Sequence, residues 1–296
     1  MKKRSRSQTL ILALLAALML VAACGEEEPT TAGGTESREA TEGEEPTFVS
    51  EGRLTVGSNI PYPPFEFEED GALTGFDVDI VRELADRIGV EHSDDDWVST
   101  DFGTIFQQLA SGTKFDIVVA AVTAYAPEGS AAGDTVAERK EIVDFSVPYY
   151  PSLQSLTVDT EANPDISGVD ALPDGARVGA QRATTGGFYA EENLTSSELV
   201  FFKNAPQMYQ QLQAGQLDAV FNDLPVTIES IEDKPGLEVV EQVETGEEYA
   251  IAIGKDNPAL RDAVDEALQE MFDDGTFAAI FEQYFPEQEL PDYASE

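Results

Sequence analysis

The stretch that decides the fold runs from Gly57 to Ile80 and reads GSNIPYPPFEFEEDGALTGFDVDI. A short apolar run, Leu54 to Gly57, precedes it and predicts a buried strand. The prolines that follow can neither extend a helix nor donate a ladder hydrogen bond, so the chain must leave the sheet there. In an open α/β sheet, small ligands bind in the crevice beyond the carboxyl ends of the strands. We therefore expect Asn59, Tyr62 and Phe65 on a loop that faces such a crevice; the alternative is a stiff surface loop whose aromatic rings cap a core.

An amphipathic helix is predicted next, from about Asp77 to Ile88, with Gly89 as its end. The order of strand, Pro-Tyr-Pro-Pro-Phe, turn, Gly-Phe-Asp-Val-Asp-Ile and helix resembles the opening of the family 3 extracellular solute-binding proteins. These are the amino-acid receptors of ABC importers, and the resemblance continues almost to the C-terminus. It implies an α/β fold of the type II periplasmic-binding-protein kind, with two α/β lobes joined by a two-strand hinge.

The expected domain organisation follows from this resemblance. Lobe 1 is expected to comprise residues 51–150 plus 248–290, and lobe 2 residues 151–247. Extended segments at Leu153 to Val158 and Glu244 to Glu248 would cross between the lobes. We expect a monomer.

The charge of the chain excludes some partners. Its 296 residues carry 58 Asp and Glu against 17 Lys and Arg, a formal net charge of −41. Such an acidic protein is not expected to bind nucleic acid or an anionic membrane surface. The excess acid is typical of a solvated surface in salty or alkaline surroundings, and the alternative is that it attracts a cationic ligand.

The N-terminus predicts export and anchoring. Basic residues at positions 2, 3, 4 and 6 precede an unbroken apolar run from Leu10 to Ala23, which is shorter than the about 20 residues that span a bilayer. We interpret residues 1–23 as a lipoprotein signal peptide, because Val21-Ala22-Ala23-Cys24 looks like a lipobox. Cys24, the single cysteine, would be lipidated; the alternative is an ordinary cleaved signal.

Residues 24–50 are rich in Glu, Thr, Gly and Pro and have few large apolar side chains. Such a composition does not bury enough surface to order itself, so we expect a flexible tether after the lipidated cysteine. The protein would then be extracytoplasmic, held by lipid on the outer face of the cell membrane or in the periplasm.

Three positions match the part of the family that holds the α-carboxylate of the ligand. The apolar run from Phe115 to Ala121 predicts a buried strand, and the resemblance implies ligand contacts at Ala121 and Thr123. Arg139 matches the arginine that grips the carboxylate, a role that suits a guanidinium fork. Between them, the Gly-, Ala- and Ser-rich segment 125–136 is longer than in the family. The alternative for Arg139 is a surface pair with Glu138 or Glu141.

A second small-residue turn, Ala183 to Gly187, opens a predicted helix and offers backbone N–H groups to an anion. Thr184 and Thr185 match carboxylate contacts of the family, whereas Gly186 replaces a side chain that commonly reaches the ligand. A phosphate site is the competing interpretation, although no lysine accompanies the turn.

An acid for the ligand ammonium is expected at the end of the run Leu217 to Asp223. Asp223 matches the family's acid, and Asn59 would assist it. The alternative role of Asp223 is to cap the helix that begins at Leu224, and the two roles are compatible. Tyr62 and Phe102 would enclose the side chain of the ligand.

These features predict a receptor, not an enzyme, that closes over a small polar amino acid and delivers it to an ABC permease. Because Asn59 stands where related receptors for basic amino acids carry Asp, a neutral ligand such as glutamine is favoured; Arg182 would instead favour glutamate. No cofactor and no metal site are expected.

Two alternatives remain open. A secreted dehydratase of the cyclohexadienyl type shares this fold and needs a positioned acid, for which Asp223 and Glu66 are the candidates. The ectodomain of a signalling receptor would need a further membrane span or a kinase.

Overall fold

The computed structural model describes residues 45–294. The predicted signal peptide, the predicted lipidation of Cys24 and most of the predicted tether therefore lie outside the described residues.

Thirteen strands and eight helices alternate along this part of the chain. The strands are β1 (Val56–Ser58), β2 (Phe67–Glu69), β3 (Ala72–Thr74), β4 (Trp97–Ser99), β5 (Ile117–Val118), β6 (Thr123–Tyr125), β7 (Val143–Phe145), β8 (Tyr150–Asp159), β9 (Arg177–Gln181), β10 (Glu198–Phe202), β11 (Ala219–Asp223), β12 (Leu237–Tyr249) and β13 (Ala252–Gly254). The helices are α1 (Phe76–Ile88), α2 (Ile105–Ala110), α3 (Ala131–Ile142), α4 (Thr185–Asn193), α5 (Pro206–Gln213), α6 (Leu224–Ile231), α7 (Pro258–Asp274) and α8 (Thr276–Tyr284).

Two sheets organise these elements into the two α/β lobes that the sequence predicts. The first sheet has the order β4-β1-β5-β13-β7 and the second β10-β9-β11-β8-β12-β6; β2 and β3 form a separate hairpin. Strand β6, which lies between β5 and β7 in the chain, pairs with β12 at the edge of the second sheet. The main crossing to the second sheet lies between β7 and β8, and the chain returns between β12 and β13. Because β8 and β12 pair antiparallel along their length, from Leu237–Asp159 to Tyr249–Tyr150, the two crossings lie side by side.

The opening unit forms as predicted, with one refinement. Helix α1 ends at Gly89, which adopts the left-handed conformation that closes a helix. Phe65 is fully buried, and its ring packs edge-on against Phe76, Tyr150 and Tyr249. Each interpretation of this loop therefore holds for some of its residues. Phe65 caps a core, whereas Asn59 and Tyr62 reach the cleft.

The long segment 125–136 builds the first turns of α3. Ser130 caps this helix, since its hydroxyl accepts a hydrogen bond from the Gly133 N–H at 3.0 Å. The insertion thus places Arg139 on a helix whose C-terminal half returns the chain to β7.

The body begins slightly before residue 51. The Asn257 side chain donates to the Thr47 carbonyl at 2.7 Å, and the Val49 N–H donates to the Asp116 carboxylate at 2.6 Å. Between residues 45 and 294, no helix has both the length and the apolar character needed to cross a bilayer.

Candidate ligand-binding site

A cavity lies between the two lobes, at the ends of β1, β5, β9 and β11. Its free interior is about 20 Å³, which holds one water molecule, so a larger ligand enters only if the lobes separate. The structure brings all nine predicted ligand-binding residues to its wall, together with Glu66, Ala120 and Gln181. The nine are Asn59, Tyr62, Phe102, Ala121, Thr123, Arg139, Thr184, Thr185 and Asp223.

Arg139 supplies the positive charge of this cavity. Its side chain is buried, and its guanidinium donates to the Thr123 carbonyl at 2.7 Å and to the Ala183 carbonyl at 3.4 Å. The Phe102 and Phe106 rings lie 5.4 and 5.1 Å from its central carbon, within cation–π distance. Burial lowers the pKa of Arg139 to about 10, so the group stays charged at neutral pH.

Among residues 45–294, no carboxylate lies within salt-bridge distance of Arg139. A guanidinium has five N–H donors, so the two carbonyl contacts leave others available. A buried cation with spare donors is suited to hold an anionic group of a ligand.

Asp223 supplies a negative charge from the second lobe. One carboxylate oxygen accepts hydrogen bonds from the Tyr62 and Tyr249 hydroxyls, each at 2.7 Å, and the other accepts from the Gln154 amide at 2.5 Å. Although Asp223 occupies the N-cap position of α6, its side chain makes no capping bond. Burial, reinforced by the charge of Glu247, raises the pKa of Asp223 to about 6.

Glu247 is a buried acid behind the cavity wall that sequence reasoning missed. One oxygen of its carboxylate accepts hydrogen bonds from the Thr123 and Thr185 hydroxyls, both at 2.6 Å. The other oxygen accepts from the Gln154 amide at 3.2 Å, so this amide bridges the carboxylates of Glu247 and Asp223. The acidic residues around Glu247 indicate a solvent-exposed strand. Glu247 differs from its acidic neighbours in being buried, which only the structure of β12 shows.

Asn59 and Gln181 join the two lobes at another part of the cavity. The Gln181 amide donates to the Asn59 side-chain oxygen at 2.9 Å, and the Asn59 amide donates to the Thr100 carbonyl at 2.7 Å. Lys203 and Asp101 form a further contact across the cleft, at 3.0 Å. Gln181, the last residue of β9, was not singled out from the sequence.

Two acids are fully buried on the first-lobe side of the cavity: Glu66, which lines it, and Asp77, which lies behind the wall. Asp77 accepts hydrogen bonds from the Ala121 N–H at 3.0 Å and from the Tyr149 hydroxyl at 2.9 Å. Burial raises the pKa of Asp77 to about 6. Burial and the negative charge of Asp77 together raise the pKa of Glu66 well above its ordinary value. Because Ala121 has a φ of 46°, a conformation that side chains disfavour, its bond to Asp77 helps to hold this turn in place.

The small-residue turn before α4 is shaped by close packing. Thr184 caps the helix by accepting from the Gly187 N–H at 3.0 Å, and its own hydroxyl donates to the Gln181 carbonyl at 2.9 Å. A Cβ atom at Gly186 would lie 2.5 Å from the side-chain oxygen of Gln154, so a larger residue here would displace the Gln154 side chain. Arg182 is exposed, with its guanidinium 6.0 Å from the Phe201 ring, and it does not line the cavity.

Comparison with known proteins identifies the family. Residues 54–287 match the bacterial extracellular solute-binding proteins, family 3, and the chain belongs to this family. The chain is 31% identical over 236 residues to the L-cystine-binding protein TcyJ of Escherichia coli, covering 79% of this chain and 83% of that protein. It is 25% identical over 281 residues to the ABC transporter glutamine-binding protein GlnH of Bacillus subtilis, covering 94% of this chain and 97% of that protein.

A solved structure of an ancestral arginine-binding protein bound to glutamine has a TM-score of 0.71 and 33% identity. The match covers 80% of this chain and 100% of that one. Together with the two lobes and their paired crossings, this likeness confirms the predicted type II periplasmic-binding-protein fold.

Proposed function

We propose that this protein is the extracytoplasmic substrate-binding component of an ABC importer and that it captures a polar amino acid by hinge closure. One observation carries the proposal: Arg139 and Asp223 both lie at the wall of one cavity. Arg139 is a buried cation that forms no salt bridge with an acid among the described residues. A zwitterion needs one fixed partner for each of its charges, and the two groups provide both.

The proposed binding mode follows from the positions of the lining residues. Arg139 binds the α-carboxylate of the ligand, next to Thr123, Thr185 and the N-terminus of α4. Asp223 binds the ammonium group. Tyr62 and Phe102 enclose the side chain, and Ala121, Thr184 and Asn59 complete the wall.

Closure of the two lobes is supported by the contacts that cross the cleft. Tyr62 and Asn59 belong to the first lobe and bond Asp223 and Gln181 of the second, at 2.7 and 2.9 Å. These bonds must break for an amino acid to enter, because the free interior is about 20 Å³. The adjacent strands β8 and β12 are the proposed hinge, and a ligand that bridges both lobes would favour the closed form.

Delivery and anchoring complete the proposal. A permease would recognise the closed form, and acyl chains on Cys24 would hold the monomer at the membrane. Metabolic labelling with a fatty-acid analogue tests the anchor: label is expected on the wild-type protein and not on Cys24→Ser, and an unlabelled wild-type protein would contradict it.

A thermal-shift screen of the twenty amino acids, followed by calorimetry of the hits, tests the proposed function. At least one polar L-amino acid is expected to bind with micromolar or tighter affinity. If none of the twenty releases or absorbs heat on titration, the proposal is wrong.

One observation favours an enzyme as a second candidate. Glu66 lines the cavity, and burial raises its pKa well above the ordinary value, which favours the protonated form that a general acid needs to expel a leaving group. Incubation with prephenate or arogenate tests this alternative, because an aromatic product would be visible by its absorbance. We expect no product, and its appearance would replace the receptor by the enzyme.

A further inference from the structure

Three neighbouring strands of the second sheet bring two acids and one amide together. Strand β8 lies between β11 and β12, and Gln154 of β8 stands directly opposite Asp223 of β11. Glu247 belongs to β12, on the other side of β8. All three side chains are buried. Because the three residues belong to one sheet, the contacts among them do not cross the cleft and do not depend on closure of the lobes.

The orientation of the Gln154 amide is fixed by the two acids. An ionised carboxylate only accepts hydrogen bonds, whereas the NH₂ group of an amide has two protons to donate. The nitrogen of Gln154 donates to the Asp223 carboxylate at 2.5 Å and to the Glu247 carboxylate at 3.2 Å. In the reversed orientation the amide oxygen would face both acids and no proton would join them. Both amide protons are therefore used, one for each carboxylate.

The side-chain oxygen of Gln154 is left buried and without a hydrogen-bond partner. It lies against the first turn of α4, where a Cβ atom at Gly186 would be 2.5 Å from it. Glycine therefore leaves the room that this oxygen occupies, and a side chain at position 186 would displace the amide. A buried acceptor without a partner is unfavourable, and the two charge-assisted bonds of the same amide offset this cost.

The amide opposes the effect of Glu247 on Asp223. Burial and the negative charge of Glu247 raise the pKa of Asp223 to about 6, whereas hydrogen bonds from Tyr62, Tyr249 and Gln154 lower it. Tyr62 belongs to the first lobe and would move away from Asp223 as the cleft opens, but Tyr249 and Gln154 stay with it in the second sheet. The other titratable groups that interact with Asp223 are Arg139, Tyr150 and Tyr209.

We infer that Gln154 is a positioning residue for the ammonium site: it keeps the Asp223 carboxylate ionised and in place beside Glu247, and Gly186 leaves the space that this requires. Gln154 does not line the cavity, so it acts through Asp223. The inference rests on the proposed function, in which Asp223 binds the ammonium group of the ligand. It also accounts for the glycine at position 186, where the family resemblance implies a side chain that reaches the ligand.

Titration of Asp223 in the protein without added amino acid tests the inference. Carbon-13 NMR of the Asp223 carboxyl carbon, assigned with Asp223→Asn, follows its ionisation. Gln154→Met keeps the approximate size of the side chain and removes both donors. The midpoint of the Asp223 titration should rise by about one pH unit, because a hydrogen bond to a charged group contributes at least about that much. Gln269→Met is the matched control and should leave the midpoint unchanged, since Gln269 donates to the exposed Asp273 at 2.9 Å.

Gly186→Ala tests the same contact from the other side. Its methyl group should displace the Gln154 amide and raise the midpoint by a similar amount. In the double variant with Gln154→Met the two shifts should not add, because both changes remove the same interaction. Calorimetric titrations at several pH values give the second measurement: the pH below which ligand affinity falls should rise together with the midpoint.

The possible outcomes separate the inference from the proposed function. An unshifted midpoint in Gln154→Met would overturn the inference and leave the proposed function intact. An additive shift in the double variant would overturn the role of Gly186. A shifted midpoint with an unchanged pH profile of affinity would overturn the link between Gln154 and the ammonium site. Absence of binding by every amino acid would contradict the proposed function, although the midpoint could still be measured. Should Gln154→Met fail to fold, Gly186→Ala decides, and an unshifted midpoint there would overturn the inference.

Discussion

Arginines in two regions of this protein differ in whether they contact carboxylates. On the outer face of the first lobe, Arg53, Arg82 and Arg87 each contact at least two carboxylates at N–O distances of 2.9 Å or less. In the cleft, Arg139 is more deeply buried than any of them, yet it contacts no carboxylate among residues 45–294.

The difference is informative because acids are abundant in this chain, with 58 against 17 basic residues. Paired arginines on a solvated surface contribute little to stability, whereas an unpaired buried cation is unfavourable. This contrast supports the proposal that the buried arginine, which contacts no acid among the described residues, binds the anionic group of a ligand.

Removal of the cleft arginine should have the largest effect. Arg139→Ala deletes two charge-assisted hydrogen bonds to the ligand carboxylate, worth together about 3 kcal/mol or more, so affinity should fall by about 100-fold. Calorimetry measures the loss. The matched control is Arg82→Ala, a surface arginine that should keep wild-type affinity within about twofold; equal losses in both variants would erase the contrast between the two regions.

Removal of the negative charge of Asp223 should weaken ligand binding somewhat less. Asp223→Asn keeps the shape of the side chain but removes the charge that binds the ammonium, so affinity should fall by about tenfold. Asp218→Asn, just before β11, is the control and should bind normally. Normal affinity in Asp223→Asn would show that the ammonium is held elsewhere.

The pH dependence of binding should distinguish the charge of Asp223 from that of Arg139. Burial raises the pKa of Asp223 to about 6, whereas the pKa of Arg139 is about 10. Asp223 therefore loses its charge as the pH falls below 6 while Arg139 keeps its charge. At pH 5 about a tenth of Asp223 is ionised and the neutral form should bind about tenfold more weakly, so affinity should be about fivefold weaker than at pH 7.5. Titrations at both pH values check this, and Asp223→Asn should lack the dependence.

The smallest effect is expected on the surface. Arg87 joins Glu83 of α1 to Asp274 at the end of α7, at 2.8 Å each. Arg87→Ala should lower the free energy of unfolding by about 1 kcal/mol or less, as measured by urea denaturation, and leave ligand affinity unchanged. A change in affinity would mean that this surface is coupled to the cleft.

The fold was largely predictable because its signals are local. The apolar period of α1, its glycine end, and the strand that ends at Gln181 can be read directly from the residues. The lining of the cavity was expected from the family resemblance, position by position, which supplied the long-range pairing that local patterns lack.

What the sequence did not reveal depends on contacts between distant segments. The insertion before Arg139 is rich in Gly, Ala and Ser, and its composition does not predict the helix that it forms. Glu247 stands in an acidic run, and its burial follows from the packing of β12 against Thr123 and Thr185. Gln154 joins Glu247 to Asp223 from a third strand.

The central claim is that Arg139 grips the carboxylate of an amino acid. The most direct measurement compares, by calorimetry, the amino acid that binds best with the amine obtained by removing its carboxyl group, on the wild-type protein and on Arg139→Ala. The wild-type protein should prefer the amino acid by about 100-fold, and Arg139→Ala should reduce that preference to about threefold or less. If Arg139→Ala kept the full preference, the carboxylate would be bound by another group and the account would be wrong.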